Sequence, residues 1–307
     1  MSERLVAVFS HAVTDEVYTA DGRLAAREVG GAGAYAAVGA SLVSAPWGTA
    51  IVSGVGARDR RRLSDWFRRR EVDPVGLFEV GEHSPVTRVR YLDDGERVEE
   101  SVFGDAHFAA HTPFPSRSPL GPDRLEGVYL FHDSDERYWQ EVAAARPRWH
   151  GPVLWEIAAN ACTPDARSRV MELAGLVDVL SLNVTEAAAL TGRTDPLEAL
   201  SRLSGHGLVV VLRCGAAGSL VRHGNRRWHV GVAPGPVVDP TGGGNAYSGA
   251  FLAAYAATGD IPASARAAAA AASHVIAQYG APAVGPLDRD GIQRHARAVA
   301  VEMSATT

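Results

Sequence analysis

The chain has 307 residues, 46% of them hydrophobic and 21% charged, which is enough apolar material to bury a core as one large α/β domain or two of ordinary size. A formal net charge of −5 gives no electrostatic reason to bind nucleic acid or a membrane surface, so small molecules or further copies of the chain are the expected partners. Two widely separated cysteines, Cys162 and Cys214, argue against a disulfide framework or a zinc site; with no basic lead and no membrane-length apolar run, they predict a cytoplasmic protein.

In chain order, Leu5-Val-Ala-Val-Phe9 reads as a strand buried on both faces. A polar stretch from Asp15 to Arg27 then leads to a Gly30-Gly31 turn and a helix of small residues. Ala50 to Gly56 is a second apolar strand, followed by a helix from Asp59 to Arg70 whose Leu63, Trp66 and Phe67 share one face and whose arginines are expected to be solvated. Between His83 and Gly104 the pattern alternates on either side of Asp93-Asp94-Gly95, predicting a β-hairpin with one wet face. Further buried strands are predicted at Gly127–Phe131, Val153–Glu156, Val177–Asn183 and Leu208–Leu212. A short apolar strand, Pro236–Val238, is expected just before Gly242-Gly243-Gly244. Gly249 to Gly280 reads as one or two Ala-rich helices with a break at Gly259-Asp-Ile-Pro, tightly packed at Ala267–Ala272, and Asp288 to Met303 as a terminal helix. Strand and helix in alternation point to a mainly parallel sheet.

Three consecutive glycines opening a helix make an anion site. They present no side chain to block close approach, the first N–H groups of the helix are unpaired, and the helix dipole favours negative charge. A Walker A loop is absent, and the glycines at 30, 31 and 33 lack the third glycine of a dinucleotide fingerprint. Asn183-Val-Thr-Glu186 fits either a helix N-cap or a hard oxygen ligand that reaches metal-bound water. Arg213-Cys-Gly215-Ala-Ala-Gly218 fits either an ordinary hairpin or a turn along a nucleotide. No histidines show metal-ligand spacing, and His11 and His274 are expected to be satisfied polar residues.

The run Asp239-Pro-Thr-Gly-Gly-Gly-Asn245 resembles the C-terminal signature of the ribokinase-like (PfkB) family of sugar and nucleoside kinases, which in most members reads Asp-Thr-x-Gly-Ala-Gly-Asp. Gly30-Gly31, the strand end Gly54-Val-Gly-x-x-Asp59, the Asn-x-x-Glu run and the Gly-x-x-Gly turn follow in family order, so the resemblance spans nearly the whole chain. It implies a three-layer α/β/α sandwich forming one domain over residues 1–307, with a central, mainly parallel sheet and a small β lid made from segments near 12–29 and 84–106. It implies an ATP-dependent phosphotransferase acting on a hydroxyl of a sugar, a sugar-like alcohol or a nucleoside, with Mg²⁺ and, as a further candidate, a monovalent cation.

By the same resemblance Asp239, Gly242, Gly243, Gly244 and Asn245 fall at the catalytic positions. Asn183, Glu186, Arg213, Gly215, Gly218 and Thr241 fall along the cofactor, with Glu186 reaching the metal through water. Asp15, Gly30, Gly31, Tyr35 and Glu156 fall on the substrate side, and Asp15 has the alternative of an exposed loop carboxylate. A homodimer paired through the lid is a family habit. Two positions depart from the pattern: Tyr35 stands where an Asn is usual, and Asn245 stands where the family has its catalytic base. A carboxamide cannot take a proton from an attacking hydroxyl. The resemblance therefore also admits a pseudokinase that binds nucleotide or sugar and acts through a partner. Tyr35, Trp155-Glu156 with Cys162-Thr-Pro, and the Asn-terminated glycine run are together similar to fungal killer-maintenance proteins of this superfamily.

Overall fold

The structure, a computed structural model, describes residues 4–19, 21–91, 97–205 and 207–305. Strand β1 (Leu5–Phe9) is buried at every position, as an apolar run in a parallel sheet must be. The chain then leaves the main sheet to form β2 (Val13–Tyr18) and β3 (Leu24–Gly30), and returns through helix α1 (Gly31–Val43) to β4 (Thr49–Val55). Helix α2 (Arg60–Arg68) and β5 (Val72–Glu79) follow, and a second excursion gives β6 (Val86–Tyr91), β7 (Arg97–Ser101) and the short helix α3 (Asp105–Ala110). Strand–helix alternation resumes with β8 (Leu125–His132), α4 (Glu136–Ala145), β9 (Val153–Ile157), α5 (Arg167–Ala174), β10 (Val179–Asn183), α6 (Val184–Thr191), α7 (Pro196–Arg202) and β11 (Val209–Arg213). The chain closes with β12 (Ser219–His223), β13 (Arg226–Val230), α8 (Gly243–Thr258), α9 (Ile261–Val275), α10 (Pro286–Ala298) and β14 (Val301–Ala305).

The main sheet has ten strands in the order β14-β13-β12-β11-β10-β9-β8-β1-β4-β5. It is parallel from β11 to β5 and antiparallel from β11 to β14. Alternate residues of each strand feed two cores. On one face Val6, Val8, Ile51 and Leu154 pack with α1, α2, α8 and α9; on the other Phe9, Val52, Leu130 and Trp155 pack with α4, α5, α6 and α7. The result is a three-layer α/β/α sandwich. A separate four-stranded sheet, β3-β2-β6-β7, is built from the two excursions.

Helices α1 and α8 cross unusually closely. A Cβ on Gly39 would overlap the backbone of Ala246, and one on Gly249 would overlap the carbonyl of Ala36. Side-chain-free positions on both helices thus set how near α8 lies to α1, and so where its N-terminus sits.

Several expectations need correction. Pro236–Val238 forms no strand: Val237 and Val238 are exposed, and Pro234, Pro236 and Pro240 lack the N–H groups a ladder needs. The segment is pinned instead by the N–H groups of Val238 and Asp239, both donating to the Ile276 carbonyl. The terminal helix stops at Ala298, and Val301–Ala305 pairs with β13 as an edge strand. The arginines of the Arg60–Arg70 run are not all solvated: Arg60 donates to the Leu77 carbonyl, Arg62 to Thr14, and Arg70, just past the end of α2, to the Ala281 carbonyl. The Asp93-Asp94-Gly95 turn lies outside the described residues.

Candidate active site

All the parallel strands end at one edge of the sheet, and that edge is where an open α/β sheet offers a crevice for ligands. Glu156 near the end of β9, Asn183 at the end of β10 and Arg213 at the end of β11 come from three neighbouring strands. Asn245, in the first turn of α8, reaches across to them.

Glu156 is the hub. Its side chain is 2% exposed, and its Oε1 accepts from Arg213 Nη1 at 2.7 Å and Asn245 Nδ2 at 2.9 Å. Its Oε2 accepts the Tyr129 hydroxyl at 2.8 Å. Burial pushes the Tyr129 phenol well above its ordinary range, and the neighbouring Glu156 charge pushes it further, so Tyr129 remains a donor. Arg213 also faces Glu186, with Nη2 3.6 Å from Oε2. Glu186 completes a capping box: the Asn183 N–H donates to its Oε2 at 2.7 Å, and its own N–H donates to Asn183 Oδ1 at 2.9 Å. Burial raises the Glu186 carboxyl above its usual value, opposed by the charge of Arg213. The helix-cap reading of Asn183 and Glu186 is therefore realised, and the same pair stands beside the glycine run's cationic neighbour.

Gly242 caps α8 in the left-handed conformation (φ 76°), which suits glycine. Gly244 is packed so closely by the Arg213 guanidinium that a Cβ there would overlap Nη1, while a Cβ on Gly243 would lie 2.7 Å from the Ile276 side chain. Of the N–H groups of this turn, that of Gly243 donates to the Pro240 carbonyl at 3.3 Å, and those of Gly244 and Asn245 lack intrahelical partners by position. Next to them lies a guanidinium that is 11% exposed and whose Nε, among the described residues, is buried without a partner. A positive helix end and an under-satisfied arginine side by side fit an incoming phosphate. Asp239 braces the approach to this turn, its Oδ1 accepting from the Thr241 N–H at 3.0 Å.

Of the expected substrate-side residues, Glu156 lies in the hub itself, its carboxylate taken up by Arg213, Asn245 and Tyr129, and the others gather near the glycine turn. A Cβ on Gly30 would overlap the Asp15 carboxylate, one on Gly242 would overlap the Tyr35 ring, and one on Gly31 would meet Val13 and the His11 carbonyl. Tyr35 thus packs directly on the glycine turn. Its phenol is pushed up by burial and by the charges of Asp15, Asp239 and Glu28. Gly215 and Gly218 form the tight turn between β11 and β12, closed by the Cys214 N–H donating to the Gly218 carbonyl at 2.8 Å. They follow Arg213 directly, and a Cβ on Gly218 would meet the Val230 carbonyl on β13, away from the Glu156 hub.

Two features escaped the sequence reading. Tyr129 sits in an apolar strand run and carries no local sign of a polar role. A histidine-aromatic wall stands where β7 leads into α3: the rings of His11 and Phe108 form a tilted pair with centres 4.1 Å apart, and His107 lies 4.4 Å from His111. Phe103 lies between His83 and His107. The i, i+4 spacing of His107 and His111 was the available signal. Burial pushes His11 down to about 3, so its ring is neutral, and its Nε2 lies 3.1 Å from the Phe108 carbonyl. His274 lies 3.6 Å from Asp288.

The pfkB family carbohydrate kinase pattern matches residues 6–286. The chain belongs to this family. A pfkB chain with this site is 28% identical over 270 residues to a cytidine kinase of Thermococcus kodakarensis, covering 81% of this chain and 87% of that one. It is also 28% identical over 158 residues to Protein MAK32 of Saccharomyces cerevisiae, covering 44% of each chain. Its fold is similar to that of a Burkholderia thailandensis nucleoside kinase solved in complex with inosine, with a TM-score of 0.75 at 17% identity over 95% of this chain and 98% of the other. For the Mg²⁺ that the pfkB resemblance implies, no group of three or more His, Cys, Asp or Glu side chains gathers as a ligand set among the described residues. The residues present would suit a metal held mainly by phosphate oxygens and water, and holding such water is the role that the resemblance would give Glu186.

Proposed function

We propose that the chain is an ATP-dependent phosphotransferase that moves the γ-phosphate to a hydroxyl of a sugar, a sugar-like alcohol or a nucleoside. The observation that carries this reading is the nearness of two half-sites. The Gly242–Gly244 turn with Arg213 is suited to phosphate; the Tyr35 ring packs on Gly242, and its phenol is near enough to feel the charge of Asp15, which packs on Gly30 as a corner suited to a hydroxylated acceptor. The likeness to a cytidine kinase and to an inosine-bound nucleoside kinase supports a nucleoside among the acceptors. Mg-ATP, when bound, supplies the phosphoryl group and the cation that spreads its charge.

Asn245 acts by positioning. Its Nδ2 is committed to Glu156, and because the amide is planar this turns Oδ1 the other way, where it accepts a hydrogen bond from the acceptor hydroxyl. Arg213 and the first-turn N–H groups of α8 stabilise charge on the transferring group, and Glu156 and Glu186 hold Arg213 in place. Phosphoryl transfer draws most of its acceleration from such positioning and charge stabilisation, so turnover survives the loss of a base worth ~10²–10⁴ in rate.

A second reading, binding without turnover, is favoured by the same hydrogen bond, because it leaves a neutral amide where the family has a carboxylate. One experiment separates the two. ADP release and thermal shift are followed with Mg-ATP across a panel of sugars, polyols and nucleosides. Acceptor-dependent ADP release supports the kinase. A nucleotide-induced shift with no turnover over the whole panel supports the binding protein, and neither shift nor turnover overturns both.

A further inference from the structure

A second cavity, of about 500 Å³, opens between α2, lid strand β3 and the segment following α9. Four arginines line it, Arg27, Arg62, Arg69 and Arg70, against one acidic residue, Glu28. Two of the four are compensated: Arg27 lies 3.5 Å from Glu16, and Arg62 is held by Asp59 at 3.1 Å and Thr14 at 2.7 Å. The other two are not.

Arg69 is exposed and, among the described residues, makes no ion pair and no side-chain hydrogen bond. Arg70 is half-buried, stacked 3.6 Å over Trp66, and donates to the Trp66 carbonyl at 3.1 Å and the Ala281 carbonyl at 2.6 Å. Its Nε is buried with no partner and no carboxylate lies within ion-pairing distance, again among the described residues. Burial and the like charge of Arg69 lower the Arg70 guanidinium to about 10, with Glu28 opposing. Adjacent guanidinium groups left without counter-ions around a cavity are stable only at a cost that a multiply charged oxyanion removes, and the guanidinium fork matches phosphate geometry.

We infer that this cavity binds a phosphate-bearing small molecule at a site separate from the Gly242–Gly244 turn. Its position gives the ligand a consequence. Arg27 and Glu28 belong to lid strand β3, whereas Arg62, Arg69 and Arg70 belong to the body, so a bound phosphate ties lid to body at the strand that runs through Gly30 into α1. The charges of Glu28 and Arg70 both reach Tyr35, the residue packed on the glycine turn, so the two sites share a neighbour.

The test is calorimetric titration of the full chain with inorganic pyrophosphate, a sugar monophosphate and a nucleoside monophosphate, none of which requires turnover. The wild type is expected to show two pyrophosphate sites. Arg69→Ala, and more strongly Arg27→Ala with Arg69→Ala, weakens one of them by about tenfold or more, because each removes a charge-assisted contact, while Gly243→Val removes the other. The two monophosphates then show whether a sugar or a nucleoside carries the phosphate. Arg27 and Arg69 are exposed, so unchanged melting temperatures confirm that both variants are folded. Wild-type binding by the double variant overturns the inference, as does a single site lost only in Gly243→Val. Because binding is read without an acceptor, failure of the kinase reading leaves this result standing, and the reverse holds too.

Discussion

The Glu156–Arg213 pair is the point at which the site's architecture can be tested most sharply. The carboxylate is 2% exposed and the guanidinium 11%, so removing either partner strands a charge in low dielectric. The cost of breaking a buried pair in this way is about 3–5 kcal/mol. At about 2.1 cal/mol/K of unfolding entropy per residue over 307 residues, Tm falls by about 1.5 °C per kcal/mol, so either single change lowers it by about 5–8 °C. Glu156→Gln leaves Arg213 with only Glu186, 3.6 Å away, to offset its position beside the positive end of α8. Arg213→Met leaves Glu156 with two neutral donors, Tyr129 and Asn245. The double variant strands neither charge, so it costs less than the sum of the singles, by about 2 kcal/mol. Equilibrium urea unfolding of the wild type, both singles and the double closes this cycle. Additivity within about 0.5 kcal/mol would falsify the claim that the two residues act as one buried pair.

Three further outcomes follow from the same geometry. Gly39→Ala forces α1 and α8 apart where a Cβ would overlap the Ala246 backbone; a loss of about 1–3 kcal/mol in unfolding free energy is expected together with weaker ATP binding, and a variant as stable as the wild type would show that the helices do not need this approach. Asn245→Asp places a second carboxyl about 3 Å from Glu156 Oε1, which raises the introduced group's pKa in the folded state. Its stability deficit against the wild type is therefore smallest at low pH and grows as pH rises through that pKa, so equal deficits at pH 5 and pH 8 would contradict the placement. His11, held down to about 3 by burial, stays neutral when folded but protonates near pH 6.5 when unfolded. The stability it contributes is present above that pH and lost on acidification, by up to about 2 kcal/mol at pH 5, and His11→Gln should flatten this part of the pH–stability curve.

The parallel part of the sheet was legible because strands covered on both faces are written as unbroken apolar runs: the expected Leu5–Phe9, Val153–Glu156 and Leu208–Leu212 correspond within a residue to β1, β9 and β11. The antiparallel extension was not. Strand β14 is mostly exposed and β13 alternates irregularly, so neither offers an apolar run or a clean period of two. Pro236–Val238 erred the other way: two valines suggested a strand, but the prolines around them decide the backbone. In the site, the glycine turn was visible as a local pattern. The hub was not, because Glu156 and Asn245 are 89 residues apart and meet only through sheet order and the close crossing of α1 and α8. Arg213 read as the start of a turn; only the fold shows it lying over Gly244.

That hub changes what Asn245 means. Considered by itself, an amide in place of a carboxylate is a loss of charge. Beside Glu156 it becomes a requirement of charge balance, since the Oε1 that takes Arg213 also takes a hydrogen from residue 245, and only an amide or another donor can give one. A carboxylate at both positions would set two negative charges about 3 Å apart, beside a guanidinium that already faces Glu186. The buried carboxylate at this edge of the sheet is the one on strand β9, Glu156. The helix position retains a hydrogen-bonding group of nearly the same shape, now oriented by the carboxylate instead of replacing it. Asn245 and Glu156 are thus two halves of one arrangement, and substituting either alone should damage the site more than exchanging their charges together.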